Sequence, residues 1–125
     1  MSNANKVAFY LRSATGNLAD LQKQQKILEN SLQRFCFSKS DVHSYVDSQQ
    51  SGMKYGPELL RLQNDIINGK INFVFVSRMN RISRSSQGLS NFFKLITNNQ
   101  LRFVSVHENV DSVFWNISGV KNESL

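Results

Sequence analysis

The hydrophobic and polar positions follow two different periods along the chain, and these periods predict strands that alternate with helices. Continuous apolar runs at 7–11 and 73–76 are typical of strands buried on both faces, and 42–46 alternates as a strand. The run at 73–76 belongs to a strand that begins at Lys70, and 101–106 forms a fourth strand.

Helical spacing of apolar residues predicts a helix in each of the three intervals between these strands. The first helix runs from Asn17, which is expected to cap it, to about Phe35, and the second begins at Pro57 and ends at 68–69. The third covers 86–98, and the polar stretch 47–56 before the second helix is predicted to be a mobile loop. The apolar positions that indicate the first and third helices are Leu18, Leu21, Leu28, Leu32, Leu89, Phe92, Phe93 and Ile96.

Strands that alternate with helices place the chain in the α/β class. We expect a single three-layer domain with a mostly parallel sheet of about four strands, flanked by helices and joined by right-handed crossovers. The domain is expected over 5–112, with a tag or disordered leader at 1–4 and a short tail at 113–125. In the tail, Val113, Phe114 and Trp115 either cover the core of the domain or belong to an interface, and the core interpretation is favoured.

The charge balance favours an anionic partner. Fifteen Lys and Arg residues against nine Asp and Glu give a net charge of +6 and a pI near 9.8, so nucleic acid is the first candidate and an anionic membrane the second. The sequence has no apolar run long enough to span a bilayer and no secretory signal, so we expect a cytoplasmic protein.

The cysteine and histidine residues predict no metal site. Cys36 is the single cysteine, which excludes an internal disulfide, and its aromatic neighbours favour a small buried side chain. His43 and His107 have no cysteine at a recognisable metal-binding spacing. We therefore expect neither a metal nor a cofactor.

A basic segment at 77–84 follows the apolar run at 73–76 directly. Arg78, Arg81 and Arg84 are spaced by three, so a helical turn would bring their guanidinium groups to one side, while Met79 and Ile82 would anchor the segment. Ligands of open α/β sheets bind just beyond the carboxyl ends of the strands, so this arrangement indicates a phosphate ligand. The alternative is that these arginines are exposed only for solubility.

Four motifs, in order, resemble the catalytic domain of the resolvase/invertase family of serine recombinases, and the resemblance extends over about 6–112. The first is Tyr10-Leu11-Arg12 followed by Ser13-Ala14-Thr15, and the second is Leu21, Gln24 and Leu28 on the first helix. The third motif is Asp47 with Ser51-Gly52 and Pro57-Glu58-Leu59, and the fourth is the arginine segment, Arg78 to Arg84. Residues 102–111 also match the last strand of the family and the turn after it.

This resemblance implies DNA recombination or integration, as in mobile elements, through a serine hydroxyl that attacks a DNA phosphodiester. The step leaves a 5′-phosphoserine bond and a free 3′-hydroxyl, needs no metal, and is reversed after subunits exchange partners. By resemblance, Arg12, Arg81 and Arg84 stabilise the charge that develops on phosphorus, and Gln24 positions the loop after the first strand. The implied partners are DNA and either a homo-oligomer, dimeric or tetrameric, or a full-length recombinase.

The sequence departs from the family where the chemistry takes place. The position of the nucleophile is Ala14; Ser13 would replace it only if the strand ends at Arg12 and the turn redirects the hydroxyl, and Thr15 is a weaker substitute. Gly56 stands where the family has an arginine, a charge that Lys54 would supply instead.

A second departure lies in the basic segment, where Asn80 replaces an acidic residue of the family. Contacts to DNA are expected from Arg78, Lys54 and Thr15. The family also continues after its last strand into a long dimer helix and a DNA-binding domain, which are expected to be absent after Ser112.

Two functions therefore remain open. The first is a catalytic domain that cleaves and rejoins DNA with Ser13 as the nucleophile, and the second is a degenerate relative that binds DNA or pairs with an intact recombinase. An unrelated doubly wound domain that binds a nucleotide or accepts a phosphoryl group is disfavoured. No aspartate ends the first or third strand, and Gly16 alone does not make a glycine-rich phosphate loop.

Overall fold

The computed structural model describes residues 6–35, 37–38, 41–51 and 53–115. The predictions for 1–4, for Cys36 and for the tail beyond 115 lie outside these residues. In the described part of the chain, no helix is long and apolar enough to cross a membrane.

The described residues form one five-stranded sheet in the order β2-β1-β3-β4-β5. The first four strands pair in parallel and the fifth is antiparallel to β4, which confirms a mostly parallel α/β sheet. The strands are β1 (Val7–Ser13), β2 (Val42–Ser48), β3 (Phe73–Val76), β4 (Arg102–Ser105) and β5 (Val110–Asp111). β5 was not predicted as a strand, because two residues are too few to show a period.

Helices cover both faces of the sheet, which gives the three layers that were expected. Apolar residues of β1 and β3 alternate between two clusters, one with Leu28 and Leu32 of α1 and one with α2 and α3. All seven residues of β1 are buried, which explains why its sequence shows no polar alternation. The helices are α1 (Leu18–Gln33), α2 (Pro57–Ile67) and α3 (Ser86–Asn99).

The helix ends agree with the residues that were expected to mark them, but one residue of the predicted apolar stripe of α1 is exposed. The Asn17 side chain accepts a hydrogen bond from the backbone N–H of Asp20, and Pro57 occupies the first turn of α2. Leu18 was assigned to the apolar stripe of α1 but is 66% exposed, because it is the first helical residue and the buried positions of α1 begin only at Gln24.

Asp47 corrects the prediction of a loop over 47–56. Strand β2 continues to Ser48, and the Asp47 side chain is buried. Its carboxylate accepts hydrogen bonds from the Tyr10 hydroxyl at 2.7 Å and from the backbone N–H groups of Glu58 and Leu59 at 2.9 and 3.0 Å. A strand residue therefore caps α2, whose own preceding residue is a glycine.

Trp115, the last described residue, lies on the α3 side of the sheet. Trp115 packs against the core, and its ring centre is 5.3 Å from that of Phe93. Phe114 is 64% exposed, so the three apolar residues 113–115 do not share one environment.

Candidate active site

The carboxyl ends of β1 and β3 lie side by side at the point where the strand order reverses, which is the usual ligand position in such sheets. The residues that follow these strands enclose a cleft of about 290 Å³. We call it the arginine cleft; it is lined by Arg12, Ala14, Arg78, Asn80, Arg81 and Arg84. The three arginines that were predicted to share one side of the basic segment therefore do line one cleft.

Arg12 ties three segments together with its guanidinium group. The side chain is buried, and its Nε and Nη1 atoms donate to the carbonyls of Arg81 and Gln50, both at 2.9 Å, while Nη2 donates to the carbonyl of Asn80. These bonds use three of its five N–H groups. Burial lowers the pKa of this guanidinium, and the nearby charges of Arg81 and Arg84 lower it further.

Gln24 holds the end of β1 from the α1 side. Its Nε2 atom donates to the Arg12 carbonyl at 2.9 Å, and its Oε1 atom accepts from the Arg12 backbone N–H at 3.3 Å. The side chain is buried and thus replaces the strand neighbour that Arg12 lacks on this edge of the cleft. This contact fits the positioning role that the resemblance implies.

Arg81 is fixed by contacts to β1 and α1. Its Nη1 atom donates to the Arg12 carbonyl at 3.1 Å, and its Nη2 atom contacts Oδ1 of Asp20 at 3.4 Å. The other carboxylate oxygen of Asp20 accepts from Gln24 at 3.0 Å. Asp20 was not predicted to belong to the site; its i, i+4 spacing to Gln24 is the sequence signal for the contact between these two side chains.

The segment that carries the arginines is a turn of 3₁₀ helix over Met79–Arg81, held at both ends. Ile82 is 1% exposed and anchors the turn, as predicted from its apolar character. Both carboxylate oxygens of Glu108, in the connection between β4 and β5, accept from the Met79 backbone N–H at 3.2 Å. One of them also accepts from the Ser105 hydroxyl. Sequence reasoning gave no indication of this role of Glu108.

The hydroxyl groups near the cleft have different environments. β1 includes Ser13, which is 2% exposed, and its Oγ atom accepts from the Asn17 backbone N–H at 3.1 Å. Ala14 is exposed and lines the arginine cleft, whereas Thr15 is exposed but is not among the lining residues. The condition that the strand ends at Arg12 is therefore not met in this structure.

Lys54 and Gly56 lie outside the arginine cleft. Lys54 lines a separate cleft of about 310 Å³, next to Ser83 and Gln87. A Cβ atom at Gly56 would lie 2.6 Å from Oδ2 of Asp47, so the buried carboxylate leaves no room for a side chain there. The Asp47 carboxylate that caps α2 therefore fills the space that a side chain at position 56, where the family has an arginine, would need.

The charges of the arginine cleft are suited to an anion. No carboxylate lines it within the described ranges, and Arg78 and Arg84 are exposed and form no ion pair there. Across the same residues, no cluster of three histidine, cysteine or acidic side chains is arranged to hold a metal ion.

Comparison with known proteins gives one family and a set of structural neighbours. The family model for the resolvase N-terminal domain matches residues 7–115. The N-terminal catalytic domain of TP901-1 integrase is 30% identical, with 95% of each chain covered and a TM-score of 0.78. No curated protein sequence matches the chain.

Two further neighbours share the fold at lower identity. A resolvase family site-specific recombinase from Streptococcus pneumoniae is 20% identical, with a TM-score of 0.69 and coverage of 96% of this chain and 89% of that one. The C-terminal catalytic domain of ISC1926 TnpA, an IS607-like serine recombinase, is 18% identical, with a TM-score of 0.69 and coverage of 80% and 68%.

Proposed function

The chain belongs to the resolvase N-terminal domain family, and on that premise we propose that its arginine cleft binds a DNA phosphodiester without supplying the hydroxyl that would cleave it. The observation that carries this proposal is the lining of the cleft, which combines four arginines with the methyl group of Ala14. The protein would then act in recombination as a DNA-binding subunit, in a homo-oligomer or paired with an intact recombinase.

The electrostatics of the cleft support phosphate as the ligand. Guanidinium groups bind phosphate oxygens through two parallel hydrogen bonds, and among the described residues no carboxylate lines the cleft; of its four arginines, Arg81 contacts a carboxylate, that of Asp20. Arg12 and Arg81 are held by backbone carbonyls and by Asp20, so little conformational entropy is lost when the phosphate binds. Arg78 and Arg84 are exposed and complete the site from the solvent side.

The environment of Ser13 argues against strand cleavage by this chain. Formation of a phosphoserine requires a hydroxyl oxygen that reaches phosphorus, and Ser13 Oγ is buried beside the Asn17 backbone N–H. Ala14, which does line the cleft, has no oxygen.

Cleavage by Ser13 is the second candidate, and it is favoured by one observation. Ser13 follows Arg12 directly, and the Asn17 N–H that holds its hydroxyl belongs to the short connection before α1. A rearrangement of 14–17 would release the hydroxyl. Its oxygen would then bond to phosphorus, the bond from phosphorus to the 3′-oxygen would break, and the proton would pass to that leaving oxygen.

Restoring a hydroxyl at position 14 tests both candidates. The chain is fused to a DNA-binding domain of known specificity and incubated with nicked duplexes that carry the site of that domain beside randomised sequence. Covalent protein–DNA adducts are then separated on a denaturing gel. We expect no adduct with the natural sequence and an adduct with Ala14→Ser, because the new hydroxyl lies within the cleft.

Two serine and threonine variants separate the cleavage outcomes, and two arginine variants test DNA binding. An adduct with the natural sequence that is lost in Ser13→Ala would establish the second candidate, and one that is lost only in Thr15→Ala would contradict both.

Binding of the cleft to the DNA backbone is measured by gel shift of a duplex. Arg84→Gln should weaken duplex binding about ten-fold. Arg61→Gln, an equal charge change at an arginine already paired with Glu58, should have a much smaller effect.

A further inference from the structure

We infer that a second cleft, next to the arginine cleft, binds a neighbouring phosphate of the same DNA strand. It lies between α1 and the segments that follow β3 and β4, and it has a volume of about 380 Å³. We call it the α1-side cleft; its lining includes Lys23, Ile27, Ser77, Arg78, Arg81 and His107. This inference rests on the proposed function and extends it to a second contact with the strand.

The two clefts share a wall. Arg78 and Arg81 line both of them, so one side of this pair of arginines faces Arg84 and the other faces α1. A strand whose phosphate occupies the arginine cleft therefore has a continuous cationic surface leading to the α1-side cleft.

Two buried polar groups at the α1-side cleft have no hydrogen-bond partner within the described residues. They are the hydroxyl of Ser77, a residue that is 4% exposed, and the Nε atom of Arg81. Buried polar groups are nearly always paired in folded proteins, and an unpaired one costs stability. Ser77 lines the cleft, so an oxygen ligand bound there is a partner that its hydroxyl otherwise lacks.

Two cations of this cleft have no ion-pair partner among the described residues. Neither Lys23 nor Arg78 forms an ion pair in the described part of the chain. The one lining carboxylate, that of Asp20, already accepts from Gln24 and contacts Arg81. Two free cations, an unpaired hydroxyl and an unpaired N–H group are the donors that a phosphate with several acceptor oxygens would satisfy.

Amide spectra of the ¹⁵N-labelled full chain test this inference. The chain is titrated with a short DNA duplex that lacks terminal phosphates and, separately, with inorganic phosphate. We expect the duplex to shift the amide signals of Ser77 and His107 together with those of Ala14 and Arg84. If inorganic phosphate saturates the shifts of the Ser77 and His107 signals at a lower concentration than the duplex does, the assignment of this cleft to a DNA strand is overturned.

The same spectra distinguish failure of the inference from failure of the proposed function. Shifts at Ala14 and Arg84 without shifts at Ser77 and His107 would overturn the second phosphate contact alone. The absence of shifts at all four residues would overturn both proposals.

Substitutions at Lys23 and Ser77 provide an independent test by duplex affinity. Lys23→Gln should raise the Kd about five-fold and reduce the slope of log K against log salt by about 1, since one phosphate contact is lost. The matched control is Lys26→Gln on the same helix, because Lys26 is exposed and lines neither cleft. Equal effects of the two substitutions would contradict a specific contact.

Ser77→Ala should change affinity and stability in opposite directions. Removal of a buried hydroxyl without a partner is expected to leave the Tm unchanged or to raise it. The same substitution removes a donor to the phosphate and should weaken duplex binding about three-fold. A Tm that falls by several degrees would show that the hydroxyl has a structural role instead, and an unchanged Kd would contradict its contact with phosphate.

Discussion

Replacing Arg12 with lysine keeps the positive charge of this side chain but removes its planar group of donors. The guanidinium donates to the carbonyls of Gln50, Asn80 and Arg81, whereas a lysine ammonium at the end of a flexible stem can reach at best one of them. Two carbonyls then lose a charged partner, at a cost of about 1.5 kcal/mol each. We therefore expect Arg12→Lys to lower the free energy of unfolding by about 3 kcal/mol and the Tm by about 10 °C.

The free energy is obtained from urea denaturation. Far-UV circular dichroism and the fluorescence of Trp115, the single tryptophan, which packs on Phe93, should give the same transition if unfolding is two-state. Arg61→Lys is the control, because Arg61 is exposed and its ion pair with Glu58 lies on the surface of α2. We expect that substitution to change the free energy by less than about 0.5 kcal/mol.

The result that would refute this reasoning is an Arg12→Lys variant as stable as the natural chain. In that case the three carbonyls would be solvated equally well without the guanidinium, and the arginine segment would not depend on Arg12 for its position. A loss of stability with unchanged duplex affinity would instead separate the structural role of Arg12 from a role in phosphate binding.

Three further substitutions test other parts of the fold. Asp47→Asn places an amide group opposite the Tyr10 hydroxyl or a helix N–H, and should cost about 2 kcal/mol in urea denaturation; a change below about 0.5 kcal/mol would contradict the capping role. Gly88→Ala would bring a Cβ atom to 2.1 Å from a serine Oγ and should lower the Tm by several degrees, whereas an unchanged Tm would show that the turn adapts. For Asp111, burial is the largest single effect and raises the pKa, but the hydrogen bonds from Arg102 and from the Val113 backbone N–H, together with the charge of Arg102, outweigh it, so the net pKa is lowered. Its stabilising effect is therefore present above the unfolded pKa of about 3.9 and is lost as pH falls through the lower folded value. The stability difference between Asp111→Asn and the natural chain should therefore shrink between pH 5 and pH 2, and a difference independent of pH would contradict it.

Periodicity along the chain predicted the fold because, at most positions, the burial of a residue determines whether it is apolar or polar. The unbroken apolar runs of β1 and β3 indicated strands covered on both faces, and Asn17 and Pro57 marked helix starts through local chemistry. Asp47 was assigned to a loop because its neighbours in sequence are polar. Its partner Tyr10 is 37 residues away, and no local pattern reports such a contact.

The site was predictable only in part for a related reason. The spacing of the arginines indicated that they lie together, and the arginine cleft shows that they do. The direction of the Ser13 hydroxyl depends on where β1 ends, which a sequence period defines only to within a residue or two. The contact between Glu108 and Met79 joins two turns, where neither helical nor strand periodicity applies.

The contacts of the 3₁₀ turn over Met79–Arg81 also bear on when, during synthesis, the proposed phosphate site can form. A nascent chain that has emerged as far as Arg84 already carries every arginine of the cleft, but the carboxylate that fixes the Met79 N–H belongs to Glu108, after β4. Until that residue leaves the ribosome, the basic stretch is an ordinary cationic peptide with the weak, salt-sensitive attraction of any such sequence to nucleic acid. Under the proposed function, ordered recognition of the DNA backbone would thus begin only when the chain up to Glu108 is available to fold.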